Sequence, residues 1–445
     1  MKIIKRLAQA SVVLLTPTLT LAEPIDLLAA YQLALEHDSE IHAAYNQLLA
    51  SKEVKPQALA DLLPSINATA SAGHNRQKSK VTHPNGLSNT EGFEQDSFAV
   101  SLRQPLFDWA NFVRFNQANE RVSRAEVVYR LAEQELIFRL TERYLDTLQA
   151  EANLKVSNDD VAAFSRQLDQ AKQRFDVGLI AITDVHDAQA RHDLSFATQI
   201  AAEDNLYSKR EALREIIQAD EVSLAPLAQE FPLFPPEPNK IREWENASSQ
   251  HNLSIQSAKF DVAIAKKDIS ITRSGHYPTI DLVASHSYND TEGSALTGTG
   301  LNTESDQIGV ELNLSLFSGG KTSSLTKQAV FNHKRSLDIL QSLQRTSLRE
   351  ARDSFRGVIA SLQQIKALKQ AIVSNQSSLD ASEVGLEVGT RTIVDVLDAQ
   401  SNLSRAKLQI IAEKKNYILS VLSLKNAAGS LALADIEKIN QWLQH

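Results

Sequence analysis

The side chains in this sequence that could do chemistry are carboxylates arranged in pairs. Asp184 and Asp187 stand three positions apart, and Asp395 and Asp398 repeat that spacing 211 positions later. Residues three apart share one face of an α-helix, so each pair would present two carboxylates together. Acid–base catalysis needs a site that excludes water, and both pairs lie beside a predicted turn. We therefore expect charge at a surface and no enzyme activity from them.

Known catalytic and metal-binding motifs are absent from the sequence. There is no glycine-rich phosphate loop, no His-Glu-x-x-His and no Gly-x-Ser-x-Gly, and the 11 histidines are scattered. There is no cysteine, which excludes disulfides, thiolate metal ligands and a lipid-modified first mature residue. The net charge of −8 argues against nucleic acid as a partner. We expect no cofactor, no metal site and no nucleic-acid partner.

Residues 1–22 are predicted to form a cleaved signal peptide. Basic residues precede a mostly apolar run over 7–21, and Thr20 and Ala22 fit the positions that signal peptidase requires. The run is shorter than the ~20 residues of a spanning helix, which disfavours an uncleaved anchor. Later in the chain every window of about 18 residues contains a charge, so no membrane helix is predicted.

The mature chain contains one unit twice. Eight positions of one motif recur with the same spacing: Val177, Gly178, Ile182, Asp184, Val185, Asp187, Ala188 and Gln189 match Val388, Gly389, Ile393, Asp395, Val396, Asp398, Ala399 and Gln400. Such internal similarity indicates two copies of one fold. We divide the chain into a signal peptide (1–22), a first repeat (23–230), a proline-rich linker (231–239) and a second repeat (240–445).

Two proline-free stretches indicate long helices. No proline lies between Pro105 and Pro226 or after Pro278, and a proline inside a helix costs about 3 kcal/mol. Apolar residues keep a helical period over 108–176, with a twin over 321–387. About 69 residues at a rise of 1.5 Å make a rod of roughly 100 Å. Rods of that length pack as coiled coils.

A second helix follows each rod, ending near residues 218 and 428. The turn before it is predicted at Gly178 and Gly389, which can take the left-handed conformation that ends a helix. Thr183 and Asp184 are expected to cap and charge the start of the next helix. Each repeat would thus end in a helical hairpin with the shared motif at its tip.

Four segments alternate apolar and polar residues, as β-strands do: 64–74, 97–107, 279–288 and 308–317. Each is about 10 residues long, which suits a membrane-crossing strand with one apolar face. Half-buried strands of a soluble sheet are the alternative. The polar connections 74–94 and 289–305 resemble the outer loops of membrane barrels. Four strands cannot close a barrel, so several chains would have to pool them.

This order of elements resembles the outer membrane efflux proteins of the TolC type, over essentially the whole mature chain. The most specific stretches are the two hairpin tips, residues 174–185 and 388–399. The resemblance implies a mainly α protein with a transmembrane β-barrel. Three chains would form a twelve-stranded barrel in the lipid of the outer membrane and a long α-helical barrel in the periplasm.

The resemblance also implies a function. The protein would be a passive exit duct for tripartite drug efflux and type I protein secretion in a Gram-negative bacterium. It would open when an inner-membrane RND or ABC transporter and a periplasmic membrane-fusion adaptor dock. The adaptor would contact the hairpin-tip turns: Val177, Gly178, Leu179, Val388, Gly389 and Thr390.

Two further sets of residues gain roles from the resemblance. Asp395 and Asp398 match aspartates that line the periplasmic entrance, where threefold symmetry would gather six carboxylates and favour cations. A helix-start charge and a solvated acid are the alternatives for them. Thr183, Asp184 and Arg391 match a closed-state latch between neighbouring hairpins, and an ordinary solvated arginine is the alternative for Arg391.

One position departs from the family pattern of the latch. Leu386 stands where the family has a tyrosine, so the latch lacks one hydroxyl. The remaining contact between Asp184 and Arg391, if exposed, would contribute only ~0.2–1 kcal/mol.

Two other protein classes compete with the duct. A soluble periplasmic coiled-coil adaptor would explain the hairpins but not the four alternating segments. A metal-efflux duct would share the fold, but such members are often lipoproteins rich in methionine, and the one methionine here is Met1. A passive duct has no substrate pocket to recognise, so the sequence does not identify the cargo.

Overall fold

The computed structural model describes residues 24–80, 88–219, 223–228, 230–292 and 300–444, with the side chains of 79, 80 and 88–91 outside that description. The predicted signal peptide and the centres of the two predicted polar loops lie outside these residues.

The helices and strands occur twice in one order. The first set is α1 (Leu27–His37), α2 (Ser39–Lys52), α3 (Val54–Ala60), β1 (Ser65–Lys80), β2 (Ser88–Phe107), α4 (Trp109–Asp176) and α5 (Ile182–Ile217). The second set is α6 (Ile241–His251), α7 (Leu253–Arg273), a 3-10 turn (Ser274–His276), β3 (Thr279–Glu292), β4 (Leu301–Asn313), α8 (Lys321–Glu387) and α9 (Ile393–Ala427), and α10 (Leu433–Asn440) follows. The predicted succession of helix, strand, strand, long helix and helix is confirmed in both halves.

The two long helices have the bounds that the proline-free stretches predict. Helix α4 spans 68 residues and α8 spans 67, so each is about 100 Å long. Asp108 caps α4 by accepting a hydrogen bond from the backbone N–H of Asn111 at 3.3 Å. Helix α8 starts after Gly319 and Gly320, whose φ values of 61° and 82° are left-handed. A side chain at either glycine would be strained, so the pair fixes the sharp entry into the helix.

The long helices pack side by side. Helix α4 contacts both α5 and α9, and α9 contacts α8, so the two hairpins lie against each other. Asp146 of α4 accepts hydrogen bonds from Lys209 of α5 at 2.9 Å and Lys415 of α9 at 2.8 Å. Burial would raise the pKa of Asp146, but the two lysines outweigh it and hold that pKa below its ordinary value. This charged contact joins three helices of both repeats.

The four strands form one antiparallel sheet in the order β1-β2-β3-β4. The register aligns whole rows of side chains across it. One row is apolar, Ile66, Leu102, Ala284 and Ile308, and the adjacent row is polar, Asn67, Ser101, Ser285 and Gln307. Adjacent rows point to opposite faces. The sheet therefore has the apolar and polar faces that the sequence alternation predicts, and β1 and β4 are its edges.

The strand ends differ from the prediction. Strands β1 and β2 run on through polar segments that we predicted as loop, with His74 opposite Glu94 and Lys78 opposite Thr90. Backbone hydrogen bonds hold a ladder together whatever the side-chain polarity, so the polar residues did not end the strands. Strand β4 stops at Asn313, four residues before the predicted end, because its partner β3 begins opposite it at Thr279.

The main buried cluster surrounds the middle of α4, where α1 and α10 pack on the ends of α5 and α9. Tyr144 is fully buried there, and its hydroxyl donates to the carbonyl oxygens of Ile25 and Ala225 at 3.0 Å each. We call this cluster the girdle. It holds together the parts of both hairpins that lie far from their turns. None of the described helices is both long and apolar enough to cross a membrane.

Candidate functional site

The two hairpin turns form one end of the molecule. We call residues 177–181 and 388–392 the tips. Gly178 and Gly389 take φ values of 76° and 78°, the left-handed conformation that the sequence predicts for them. Leu179 N–H donates to Arg174 O and Thr390 N–H donates to Gly385 O, both at 2.8 Å, so each turn closes the helix before it. The neighbouring side chains of Val177, Leu179 and Val388 are about 70 % exposed.

A buried apolar cluster, the tip cluster, lies directly behind these turns. It joins Phe164 and Leu168 of α4, Ala188 of α5, Leu386 of α8 and Val396 of α9 with their neighbours. Because all four helices contribute, the two hairpins share one small core near their ends. Leu386 is 7 % exposed and belongs to this core, so its side chain packs among apolar side chains.

The two tips start their second helices differently. Thr392 caps α9: its hydroxyl accepts from Asp395 N–H at 3.2 Å, and Asp395 accepts from Thr392 N–H at 2.8 Å. Helix α5 begins at Ile182 after Ala181, which offers no side-chain cap. The prediction that Thr183 caps α5 is therefore wrong, because the helix starts one residue before it. Asp184 does lie in the first turn, as predicted.

Asp395 is held within its own hairpin. Besides the Thr392 backbone, the Thr392 hydroxyl donates to it at 2.8 Å, and a guanidinium nitrogen of Arg391 lies 3.6 Å away. The hydrogen bond from the Thr392 backbone, then that from its hydroxyl and the charge of Arg391, hold the pKa of Asp395 below its ordinary value. Asp395 is thus a helix-start charge, and its half-exposed carboxylate also faces solution.

Asp398 is paired with the other hairpin. Nη2 of Arg191 on α5 donates to Oδ1 of Asp398 on α9 at 2.6 Å. The side chains are 40 % and 54 % exposed. Asp398 lies about two turns and Arg191 about three turns from the tips, so the pair links the first repeat to the second near the candidate entrance. Arg191 was not predicted from the sequence.

The structure does not join the three predicted latch residues within the chain. Arg391 faces Asp395, and across the described residues no hydrogen bond or ion pair links its side chain to Thr183 or Asp184. Arg391 also packs closely over Gly385, where an added Cβ would lie 2.5 Å from its Cγ. The absence of a side chain at Gly385 therefore leaves room for the arginine.

Other contacts between the repeats were missed in the sequence. Arg174 donates to the carbonyl oxygen of Leu386 at 2.9 Å. Asp160 accepts from Gln400 at 3.0 Å and from the hydroxyl of Ser404. Arg174 aligns with Gly385 and Arg191 with Asn402 in the repeat. Positions where the two copies differ in charge were the signal that could have pointed to these contacts.

The arrangement can concentrate charge but cannot enclose a substrate. Asp184 and Asp187 are accessible, as are Asp395 and Asp398, and a groove of about 560 Å³ runs between α4 and α8 beside the tips. Arg166, Arg174, Glu383 and Glu387 line that groove. Open, water-filled surroundings suit recognition of a charged or protein partner.

Comparison with known proteins covers nearly the whole chain. The family described as "Outer membrane efflux protein" matches residues 30–218 and 244–430. The outer membrane protein TolC of Vibrio cholerae is 34 % identical over 415 residues, which cover 93 % of each chain. The proteases secretion protein PrtF of Dickeya chrysanthemi is 28 % identical over 442 residues, covering 97 % of this chain and 95 % of its own.

The fold is shared with solved structures at lower identity. The CmeC outer membrane channel of Campylobacter jejuni superposes with a TM-score of 0.76 at 15 % identity, over 94 % of this chain and 90 % of its own. At that identity the likeness concerns the fold. It confirms that four antiparallel strands combined with very long paired helices are an architecture of such channels.

Proposed function

This chain belongs to the outer membrane efflux protein family, and on that premise we propose that three copies assemble into one exit duct. The protein is an outer-membrane efflux channel and not an enzyme. The homotrimer, the partners and the roles of the tip residues are the parts that we infer.

The observation that carries the trimer is the sheet with two free edges. In the described residues, β1 and β4 each pair on one side only. A membrane offers no water to satisfy open backbone groups, so the edges need strands from other copies. If β4 of one copy pairs with β1 of the next, three copies close a barrel of twelve strands. The apolar row containing Ile66 and Ile308 would then face lipid, since both are strongly exposed in the single chain.

The tips support docking of a periplasmic adaptor and an inner-membrane transporter. Val177, Leu179 and Val388 expose apolar side chains at the end of the molecule. Exposed apolar groups beside a polar, charged groove are typical of sites for protein partners. We infer that the adaptor contacts these turns and that an RND or ABC transporter supplies the energy, because a passive duct has none of its own.

We infer that Asp395 and Asp398 line the periplasmic entrance. Threefold symmetry would bring six carboxylates together and attract cations. The exposed fractions of both side chains, 39 % and 54 %, leave them open to solution in the single chain. The open position of these acids supports the inference, and the arginines beside them reduce the negative potential that the acids produce.

We infer that the latch forms between copies. Arg391 faces Asp395 within its own chain, so contacts to Thr183 and Asp184 would come from a neighbouring hairpin. The chain has no cysteine, so the introduced cysteines are the sole thiols that can crosslink. We expect Asp184→Cys/Arg391→Cys to yield covalent dimers and trimers on oxidation, whereas Asp184→Cys does not. A crosslink confined to single chains would contradict a latch between copies.

The cargo is inferred more broadly. One relative is named for the secretion of proteases, and another, of Pseudomonas putida, is named as the outer membrane protein of a toluene efflux pump. We propose that the duct passes whatever its docked transporter supplies, from small apolar compounds to proteins.

The deciding experiment is the conductance of purified protein in planar bilayers, with La³⁺ added on the tip side. We expect a small cation-selective conductance that La³⁺ blocks. Asp395→Asn/Asp398→Asn should abolish the block, while Asp338→Asn/Asp353→Asn, two exposed acids far along α8, should not. A block that survives in the first variant would refute the entrance assignment. Absence of any conductance in a detergent-purified trimer would refute the duct.

A further inference from the structure

Each candidate entrance carboxylate has an arginine beside it. Arg391 lies 3.6 Å from Asp395, and Arg191 lies 2.6 Å from Asp398. The two pairs differ in kind. Arg391 and Asp395 sit on one tip, four positions apart, whereas Arg191 reaches from α5 to α9. The shorter contact is therefore the one between hairpins.

The Arg191–Asp398 pair is not a product of the duplication. In the repeat, Asp398 corresponds to Asp187 and Arg191 to Asn402. Asn402 carries no charge and instead accepts a hydrogen bond from Arg405 at 3.2 Å. Asp187 has no ion-pair partner within the described ranges. Of these two equivalent acids within the described ranges, Asp398 is thus the one that has an arginine partner.

We propose that Arg191 is the counter-charge of Asp398 and sets the ion selectivity of the entrance. The inference rests on the proposed entrance role of Asp398. A positive charge 2.6 Å from a carboxylate cancels much of its field at the distance of a passing ion. Both side chains are too exposed for the pair to contribute much to stability. Its main effect is on the potential that permeating ions meet.

The charge balance follows from this pairing. With Arg191 and Arg391 in place, the two acids are faced by two guanidiniums in each copy. Three copies would have a ring whose formal charge is largely compensated, and its cation preference would be modest.

The test compares reversal potentials in a KCl gradient for the full-length trimer in planar bilayers. Arg191→Gln should raise the preference for cations and raise the apparent affinity for blocking La³⁺ by more than about fivefold, because one unit charge at about 4 Å in water changes the affinity for a monovalent ion by about that factor and La³⁺ carries three charges. Arg191→Lys keeps the charge and should resemble wild type. Arg191→Gln/Asp398→Asn removes both charges and should return selectivity close to wild type.

A matched control removes the same kind of pair elsewhere. Arg124 of α4 pairs with Asp261 of α7 at 2.6 Å, with 44 % and 45 % exposure, about 78 Å from the tip by the helix rise. Arg124→Gln should leave selectivity unchanged. A general effect of removing an exposed arginine would appear in this variant too.

The outcomes separate this inference from the entrance assignment. If Arg191→Gln conducts with wild-type selectivity while Asp395→Asn/Asp398→Asn loses the La³⁺ block, the ring stands and Arg191 has no part in it. If Arg191→Lys behaves like Arg191→Gln, geometry and not charge is responsible, and the proposal fails. If neither the acid variant nor Arg191→Gln alters conduction of ions, the ring itself is wrong and the inference falls with it.

Discussion

Arg174 donates a hydrogen bond at 2.9 Å to the carbonyl oxygen of Leu386, which joins the last turn of α4 to the last turn of α8. The acceptor belongs to the backbone, so the contact does not depend on which side chain stands at position 386. A guanidinium bonded to a helix C-terminal carbonyl also offsets the negative end of the helix dipole. We regard this contact as part of what keeps the two hairpins together.

Arg174→Gln should loosen the tips. The lost hydrogen bond to a charged donor is worth roughly 1 kcal/mol at this partly exposed position. We expect larger and noisier conductance in planar bilayers without loss of the trimer. Arg166→Gln is the matched control, because Arg166 lines the same groove but has no hydrogen bond in the described structure. Equal conductance for Arg174→Gln and wild type would show that the contact does not restrain the tip.

Ala181→Thr should stabilise the first tip. Ala181 already has the extended backbone of a helix cap, with φ −79° and ψ 156°, and Asp184 stands three residues later as Asp395 does after Thr392. A threonine would complete a capping box worth about 1 kcal/mol. Hydrogen exchange at the start of α5 should slow, whereas Ala181→Val, which lacks the hydroxyl, should not slow it. Faster exchange in the threonine variant would contradict the comparison of the two tips.

Thr392→Val should have the opposite effect on the second tip. Removing the hydroxyl leaves the Asp395 N–H without its acceptor and costs about 1 kcal/mol of local stability. Exchange should accelerate at the start of α9 and stay unchanged at the start of α5. An equal change at both helices would indicate a global effect and not loss of a cap.

Acid should weaken the contact among the helices at Asp146. Its pKa is lower in the folded protein than the ordinary value of 3.8, because Lys415 and Lys209 favour the ionised form despite burial. A lowered folded pKa stabilises the protein at pH above 3.8, and this contribution is lost as the pH falls through the folded value. The melting temperature measured in detergent should fall less between pH 5 and about pH 2.5 for Asp146→Asn than for wild type. Asp261→Asn, in an exposed pair, should show the same fall in melting temperature as wild type.

Polar substitution of the tip turns should impair export but not the pore. Val177→Ser/Leu179→Ser removes exposed apolar side chains that make no contribution to the tip cluster. Drug efflux in cells should fall severalfold, while trimer yield and bilayer conductance stay at wild-type levels. Leu49→Ser, an exposed leucine on α2, serves as the control. Full efflux by the tip variant would exclude these turns from adaptor docking.

Sequence reasoning predicted the elements well where one strong signal sets them. A helical period of apolar residues, together with the lack of proline, was enough to predict α4 and α8. The left-handed conformation available to glycine was enough to predict the turns at Gly178 and Gly389. Strand ends were less predictable, because polar residues in β1 and β2 remain paired by backbone hydrogen bonds. The cap position of α5 was misplaced by two residues, at Thr183 in place of Ala181, because Ala181 gives no capping signal. The repeat boundaries at 23–230 and 240–445 stay predictions.

The candidate site was harder to predict than the fold. The carboxylates stand out because they recur, but their partners do not recur. Arg174, Arg191 and Asp160 make contacts between the two repeats, and such contacts depend on how one hairpin lies against the other. Periodicity within one helix carries no information about that. Reading the two copies against each other for differences in charge would have raised these residues as candidates.

The length of α4 and α8 gives the contacts at their ends a mechanical meaning. About 48 Å of helix separates Tyr144 from the tip, so one degree of rotation at the girdle around Tyr144 displaces the tip by roughly 0.8 Å. A small shift in packing at mid-helix would therefore be enough to break a 2.6 Å ion pair such as Arg191–Asp398. Because the helices are stiff, a rotation at the girdle is transmitted along them and gives its largest displacement at the tips. Weak contacts located there therefore restrain the rotation more effectively than equal contacts near the girdle.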